Sequence, residues 1–310
     1  MRILFSTAVF CGLLPWCITA MCGALRSDFG NRRITMVATT SRFVAAIAAL
    51  GLAASALAVP QARADTATLP GDIKASKTIT FCSAVTLPPM EFYSPAQEPE
   101  GVDIELGDAM ARHLGLGARW INIPFAGLIP ALLGGQCDAI MSQLFIKPPR
   151  LKVIDEIPYM YSQEGFILKA GTPLLSGPEA LSGEKAATVT GTTATDLLKK
   201  ADAALTAAGK KGITIVAFPE NTPALQQVQF GQVAAYGVAY ETALYYANLQ
   251  PSVFEVGGPP YFKILTGIGV SKDQPAVEAA LTGALAFIKK NGTYAAIYKK
   301  WHIEPDMLSP

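Results

Sequence analysis

From Thr78 onward the chain is written in short apolar runs whose period switches between two residues and three to four, the signature of alternating strands and helices. Thr78-Ile79-Thr80-Phe81-Cys82 alternates and predicts a strand. Leu87-Pro88-Pro89 must end it, because proline fixes φ and has no N–H to give a ladder. Met90-Glu91-Phe92-Tyr93 predicts a short strand and Ser94 to Gly101 a turn. Asp103 to Leu114 has helical spacing, with Ile104, Ala111 and Leu114 on one face. Asp103 is its expected N-cap, Arg112 and His113 fall in the last turn, and Gly115 follows. Arg119 to Ile123 predicts a strand, Leu128 to Leu133 a short helix closed by Gly134-Gly135, and Asp138 to Ser142 a buried strand. Strands alternating with helices imply right-handed crossovers and a parallel sheet.

The order then recurs. Ala187 to Val189 predicts a strand, Gly191-Thr192-Thr193 a turn and Thr195 to Ala208 a helix. Ile213 to Phe218 and Val233 to Val238 read as strands, Ala224 to Phe230 and Glu241 to Asn248 as helices. Gly267 to Val270 predicts one more strand, followed by amphipathic helices over 274–291 and 293–301. The expected class is α/β, with two units of similar size. Ligand sites in such sheets lie in the crevice at the strand ends.

The first 64 residues read differently. Ile3 to Leu25 is one apolar stretch. Arg42, the Ala-rich run Phe43 to Val59 and Ala62-Arg63-Ala64 form a second, with the anatomy of a secretory signal peptide. Residues 1–64 are therefore expected to be a leader. Met36 is favoured as the true start, against one long leader or a membrane span at 3–25. Asp65 to Ser76 reads as a polar arm. The whole chain carries 25 basic and 24 acidic side chains, which excludes a strongly basic face and nucleic acid as a partner. Arg2, Arg26, Arg32, Arg33, Arg42, Arg63 and Asp28 lie in the leader, leaving 19 basic against 23 acidic, a net −4. Two histidines, His113 and His302, leave little for a His-rich metal site or His-based catalysis. No metal or cofactor is expected. Beyond the leader only Cys82 and Cys137 remain. Exported proteins permit a bridge, but the two sit in separate predicted strands and are expected as buried thiols.

Several segments, in order and spacing, carry a resemblance. They are Leu87-Pro88-Pro89-Met90-Glu91-Phe92, Gly101-Val102-Asp103-Ile104-Glu105-Leu106, Phe125-Ala126-Gly127-Leu128-Ile129-Pro130-Ala131-Leu132 and Asp138-Ala139-Ile140-Met141-Ser142. Arg150, Val189-Thr190-Gly191-Thr192-Thr193, Asn291-Gly292-Thr293-Tyr294 and Tyr298-Lys299-Lys300-Trp301 complete the set. From about Thr78 to Trp301 the chain resembles the periplasmic solute-binding proteins of polar amino-acid ABC importers, bacterial family 3. The resemblance implies a two-lobed type II periplasmic binding fold. Each lobe is a mostly parallel sheet flanked by helices, joined by a two-strand hinge. Lobe 1 is expected over 65–164 and 263–310, lobe 2 over 165–262, with crossings near 164–169 and 259–265. It also implies a periplasmic monomer that holds a small carboxylate-bearing, amino-acid-like ligand between its lobes, performs no chemistry, and docks on an ABC permease in the inner membrane.

Residue by residue, the resemblance implies that Arg150 grips the ligand carboxylate, for which a planar guanidinium fork is suited. The alternative is a surface arginine paired with Asp155 or Glu156. Gly191, Thr192 and Thr193 match a turn that presents backbone N–H groups to an anion, against an ordinary helix cap. Phe125 stands where relatives stack an aromatic on the ligand, against a core role. Leu87 and Met90 supply apolar wall, Ser142 ends the buried strand, and Gln143 takes a small-residue position. Departures from the family pattern are Ala84, Phe145 and Val238, where an α-ammonium clamp would need acids and a hydroxyl. Glu91 and Glu241 are candidate substitute anions, set against structural roles. Tyr236, Tyr240 and Phe145 offer cation–π faces instead. On this reading, ligands whose nitrogen is absent, acylated or alkylated should bind better than free amino acids. The rival is a cyclohexadienyl dehydratase-like enzyme on the same fold.

Overall fold

The computed structural model describes residues 69–308, all within one of the chain's two units, 59–310. The leader assigned to 1–64 lies outside the described residues. No helix among the described residues is long and apolar enough to cross a membrane.

The expected polar arm ends in a helix, α1 (Gly71–Ser76), because Leu69 and Ile73 bury against the core. Next come β1 (Thr78–Ser83), the short antiparallel pair β2 (Phe92–Tyr93) and β3 (Pro99–Glu100), α2 (Val102–His113) and β4 (Gly117–Asn122). They lead to α3 (Leu128–Leu133), β5 (Ala139–Phe145), α4 (Pro148–Leu151) and the 16-residue β6 (Ile154–Lys169). The second set is β7 (Lys185–Val189), α5 (Thr193–Ala207), β8 (Thr214–Phe218), α6 (Asn221–Gln229), β9 (Ala235–Ala239), α7 (Tyr240–Leu249) and β10 (Phe254–Val256). The chain returns through β11 (Phe262–Ser271) and ends on α8 (Pro275–Lys290) and α9 (Thr293–Lys300).

One sheet takes in every strand but β2 and β3, in the order β4-β1-β5-β11-β6-β9-β7-β8, with β10 on the far end of β6. The triplets β4-β1-β5 and β9-β7-β8 are each parallel. Between them β11 and β6 run antiparallel to each other and to their outer neighbours. Alternation in β1 and β5 sends Ile79, Phe81, Ala139 and Met141 toward α2, α8 and α9, and Cys82, Ile140 and Leu144 toward α3. In the second triplet Ala187, Val189 and Tyr236 meet α6 and α7, while Ala186 and Ala235 meet α5. Each triplet therefore has a core on both faces, as parallel sheets require.

Three expectations are corrected. Asp103 is not an N-cap. Gly101 holds that position at φ +126°, where a Cβ would overlap the Met90 carbonyl. Asp103 turns inward instead, accepting from Tyr159 Oη and the Gln143 N–H, each at 2.7 Å. Cys82 and Cys137 are not thiols but a disulfide with Cα atoms 5.7 Å apart. Cys137 lies in the turn before β5 rather than in the strand, which frees its side chain to reach across to β1. The last strand extends to ten residues rather than four, because it pairs along β6.

Candidate functional site

Strand β6 carries the chain from one triplet to the other. It pairs with β11 from Ile154 up to Glu164, and with β9 from Glu164 to Ile167. Glu164 is where the strand changes partners. A cavity of about 480 Å³, counting its open mouth, lies against this crossing and is bounded by both triplets.

Its first-triplet wall comes from the end of β1 and the loop beyond it (Ala84, Leu87, Glu91), the turn before α3 (Phe125), and the end of β5 (Gln143, Phe145). The opposing wall is Val189, Thr192, Thr193 and Ala194 from the β7–α5 junction, Asn221, and Tyr236 to Ala239 of β9. Arg150 and Glu164 complete it. The walls touch each other. Lys147 pairs with Asp196 at 2.8 Å, and Asn221 Nδ2 donates to Thr86 Oγ1 at 3.0 Å. The Tyr236 hydroxyl donates to Asn221 Oδ1.

Arg150 sits on α4, a single turn opened by Pro148-Pro149, where missing N–H groups cost nothing. It is only 8% exposed. Its Nη1 donates to the Phe145 carbonyl at 2.7 Å and its Nη2 to the Gly191 carbonyl at 3.2 Å, so the guanidinium joins the two walls. The Phe125 ring centroid is 5.3 Å from Cζ. Among the described residues no carboxylate lies within 4.0 Å of it. Asp155 pairs with Lys272 at 2.5 Å, so the surface ion-pair alternative is not what forms. Burial lowers the Arg150 pKa, and the more distant Glu156, Asp196 and Glu164 oppose this.

Thr192 caps α5, its hydroxyl accepting from the Thr195 N–H at 3.4 Å while donating to the Val189 carbonyl at 2.7 Å. Gly191 takes φ +83°, which places its carbonyl toward Arg150. The Thr193 hydroxyl is buried on the wall without a partner.

Of the residues singled out from sequence, Leu87, Phe125, Gln143, Phe145, Arg150, Thr192, Thr193 and Val238 meet at this cavity, as do Ala84 and Glu91. Five do not form its wall, among them Tyr240, whose ring lies against Gly165. Met90 is wholly buried in the core beneath α2. Ser142 is structural, accepting from the Ala84 N–H at 2.9 Å and donating to Glu91 Oε1 at 2.8 Å. Gly191 contributes its carbonyl to Arg150. Glu241 is buried beside Ser162, whose hydroxyl donates to it at 2.8 Å, and also accepts from Gln143 Nε2 at 3.2 Å. Tyr236, offered as a cation–π face, also lines the cavity, whereas sequence reasoning missed Glu164 and Asn221. Only the position of Glu164 at the expected crossing hinted at it.

Five carboxyls near the cavity are held above their ordinary range, Glu241 among them at about 8 through burial. Burial, reinforced by the Asp103 charge, puts Glu91 well above it. Burial raises Asp103 to about 6 and Glu156 to about 7, the latter restrained by Arg150 and Lys147. Glu164 reaches about 8 through burial and the nearby Glu241. Gln143 adopts φ +42°, strained for a side chain, and is fixed there by its N–H bond to Asp103 and by Nε2 donating to Ser162 Oγ at 2.7 Å. The array has one buried cation, several proton-bearing carboxyls, and no nucleophile paired with a base. Among the described residues no cluster of metal-ligating side chains occurs. Such an array presents one buried cation, Arg150, to whatever enters the cavity.

The profile described as bacterial extracellular solute-binding proteins, family 3, matches residues 79–304. The L-arginine-binding protein of Pseudomonas aeruginosa is 27% identical over 264 residues, 82% of this chain and 95% of that protein. The lysine/arginine/ornithine-binding periplasmic protein of Escherichia coli is 27% identical over 234 residues, 73% and 87% of the two chains. An ancestral amino-acid-binding protein, described as a precursor of cyclohexadienyl dehydratase, matches in structure with a TM-score of 0.67. That match has 27% identity and covers 74% of this chain and 97% of the other.

Proposed function

This chain belongs to the bacterial extracellular solute-binding proteins of family 3, and on that premise we propose that it captures a small amino-acid-like carboxylate in the periplasm for an ABC permease of the inner membrane. The observation that carries the ligand class is Arg150, a buried guanidinium on the cavity wall with no carboxylate in ion-pair range among the described residues. A buried charge is expensive unless it gains a partner, and a carboxylate fits the guanidinium fork. At the α5 N-terminus the partnerless Thr193 hydroxyl adds a hydrogen-bond donor, and the helix a favourable dipole, beside it. Relatives named for binding amino acids support the same class.

The dehydratase reading needs a placed acid beside a leaving hydroxyl. Ala84, Phe145 and Val238 offer none, and although Glu91 and Glu164 line the same cavity, the relatives are named for binding amino acids, so prephenate incubated with the protein is expected to be recovered unchanged.

The deciding experiment is a thermal-shift panel of L-arginine, L-lysine, L-ornithine, L-histidine, L-glutamine and simple carboxylates such as glutarate. At 100 times its Kd a ligand adds about 2.7 kcal/mol, which raises the melting temperature of a domain this size by roughly 5–11 °C. A panel in which no carboxylate shifts the transition would overturn the proposal.

A further inference from the structure

Helix α7 belongs to the second triplet, yet its first turn is fastened to the first. Glu241, 3% exposed, accepts at Oε1 from the Ser162 hydroxyl at 2.8 Å and from the Gln163 N–H at 3.2 Å, both on the crossing strand β6. Its Oε2 accepts from Gln143 Nε2 at 3.2 Å, near the end of β5. Gln143 in turn donates through Nε2 to Ser162 Oγ and through its backbone N–H to Asp103 on α2, each at 2.7 Å. One turn further along α7, Tyr245 packs on Phe92 of β2 with ring centroids 5.9 Å apart. A single buried carboxyl therefore ties a second-triplet helix both to the crossing strand and to a first-triplet strand, and it does so beside the cavity rather than on its wall.

We infer that Glu241 is a proton-operated latch at the crossing: in its neutral form it holds the start of α7 against β6 and β5, and charging it releases that end of the helix. The inference concerns the empty protein and does not depend on what the cleft takes.

The groups facing Glu241 are few. Strand β6 supplies Glu164, and the C-terminal turn Glu304–Asp306 supplies Asp306. Lys263 of β11, paired opposite Gln163, attracts Asp306 and lies over the Tyr161 ring at 4.6 Å. From β5 comes the uncharged Gln143, and from β9 Tyr236. The β10 carboxyl, Glu255, is occupied by the Thr172 N–H. Helix α7 itself carries Tyr240, Tyr245 and Tyr246 and no other charge. Burial and the like charge of Asp306 outweigh these donors and hold Glu241 at about 8. The neutral form needs an acceptor for its hydroxyl, and Gln143 Oε1, buried without a partner, offers one on half a turn of its amide. Released into water, a glutamate titrates at about 4.3. Fastening the latch therefore takes up a proton. Its hold is complete below about 4, weakens as pH rises by at most about tenfold per unit, and levels off above about 8.

The test is amide hydrogen exchange, read by nuclear magnetic resonance on the unliganded full chain from pH 6 to 8 and corrected for intrinsic base catalysis. Wild type, Glu241→Gln and Glu241→Ala are compared at the Gln163 N–H and in the first turn of α7, with the amides of β1 that pair with β4 as reference. In wild type the opening constant at Gln163 should rise at least ~10-fold and at most about a hundredfold over that range, while the reference changes less than about threefold. Glu241→Gln, a neutral carboxyl's nearest mimic, should stay protected and flat across the range. Glu241→Ala should exchange fast at every pH. A flat wild-type profile overturns the inference. So does a slope that persists in Glu241→Gln, which would assign the proton to Glu164 or Asp306. Should either variant fail to fold, the wild-type slope at Gln163 against the reference decides alone.

Discussion

Replacing Arg150 with alanine should weaken binding of the carboxylate ligand by roughly 30- to several thousand-fold. The range comes from the cost of stripping one partner from a buried charge pair, about 2–5 kcal/mol, at about 1.4 kcal/mol per tenfold. The guanidinium also ties the Phe145 carbonyl on one wall to the Gly191 carbonyl on the other. Its loss therefore removes a link between the walls as well as the anion's partner. A thermal-shift measurement separates binding from stability. At a ligand concentration 100 times the wild-type Kd, a variant weakened a thousandfold gains only about 0.06 kcal/mol, against about 2.7 for wild type. The ligand-induced shift should vanish while the unliganded transition stays cooperative. Arg150→Lys should fall between the two, because an ammonium restores charge but cannot form the planar fork or stack on Phe125. Binding of the ligand by Arg150→Ala within threefold of wild type would show that another group holds the carboxylate.

Elements with one clean period were legible in the sequence. Strand β1 alternates, α3 is bounded by two glycines, and α5 and α8 carry apolar stripes; each lies within a few residues of its expected place. The strand β6 was not legible beyond its expected crossing, for a physical reason. Pro158 breaks its alternation at a shift in the ladder with β11, and its flanks face different cores before and after Glu164. Asp103 shows the same limit. A carboxylate at a helix start reads as a cap, and only the packing of Tyr159 and Gln143 reveals that it turns inward. Arg150 was legible because its chemistry is rare here, one of three arginines after the leader. Glu164 was not, since its burial depends on α5 and α7, contributed by chain 30 to 80 residues later. Gln143 carries a φ that no side-chain pattern announces.

The cysteines give the second large effect. Cys82 and Cys137 are separated by 55 residues and are bonded. In the chain-entropy account a loop of that length, closed in the unfolded state, stabilises the fold by about 4 kcal/mol. For a domain of about 240 residues, at 2–4 °C per kcal/mol, removing the bond should lower the melting temperature by roughly 8–16 °C. Both sulfurs lie in the apolar cluster with Leu128, Leu132, Ile140 and Leu144. Alanine is therefore the better replacement, because serine would add a buried hydroxyl to the cost. The bond fastens β1 to the turn before β5, where the Thr80 N–H already meets Asp138 Oδ2 at 2.7 Å and the Asp138 N–H donates to the Thr80 carbonyl at 2.9 Å. Local pairing should therefore survive, and the loss should be one of global stability with a single cooperative transition. Scanning calorimetry of wild type and of Cys82→Ala/Cys137→Ala, each with and without reductant, tests this. Reductant should bring wild type down to the level of the double variant and leave the variant unmoved. Two free thiols in protein purified from the periplasm would remove the premise. A melting temperature unchanged once the bond is shown to be cleaved would mean that β1 and β5 hold this end of the sheet without it.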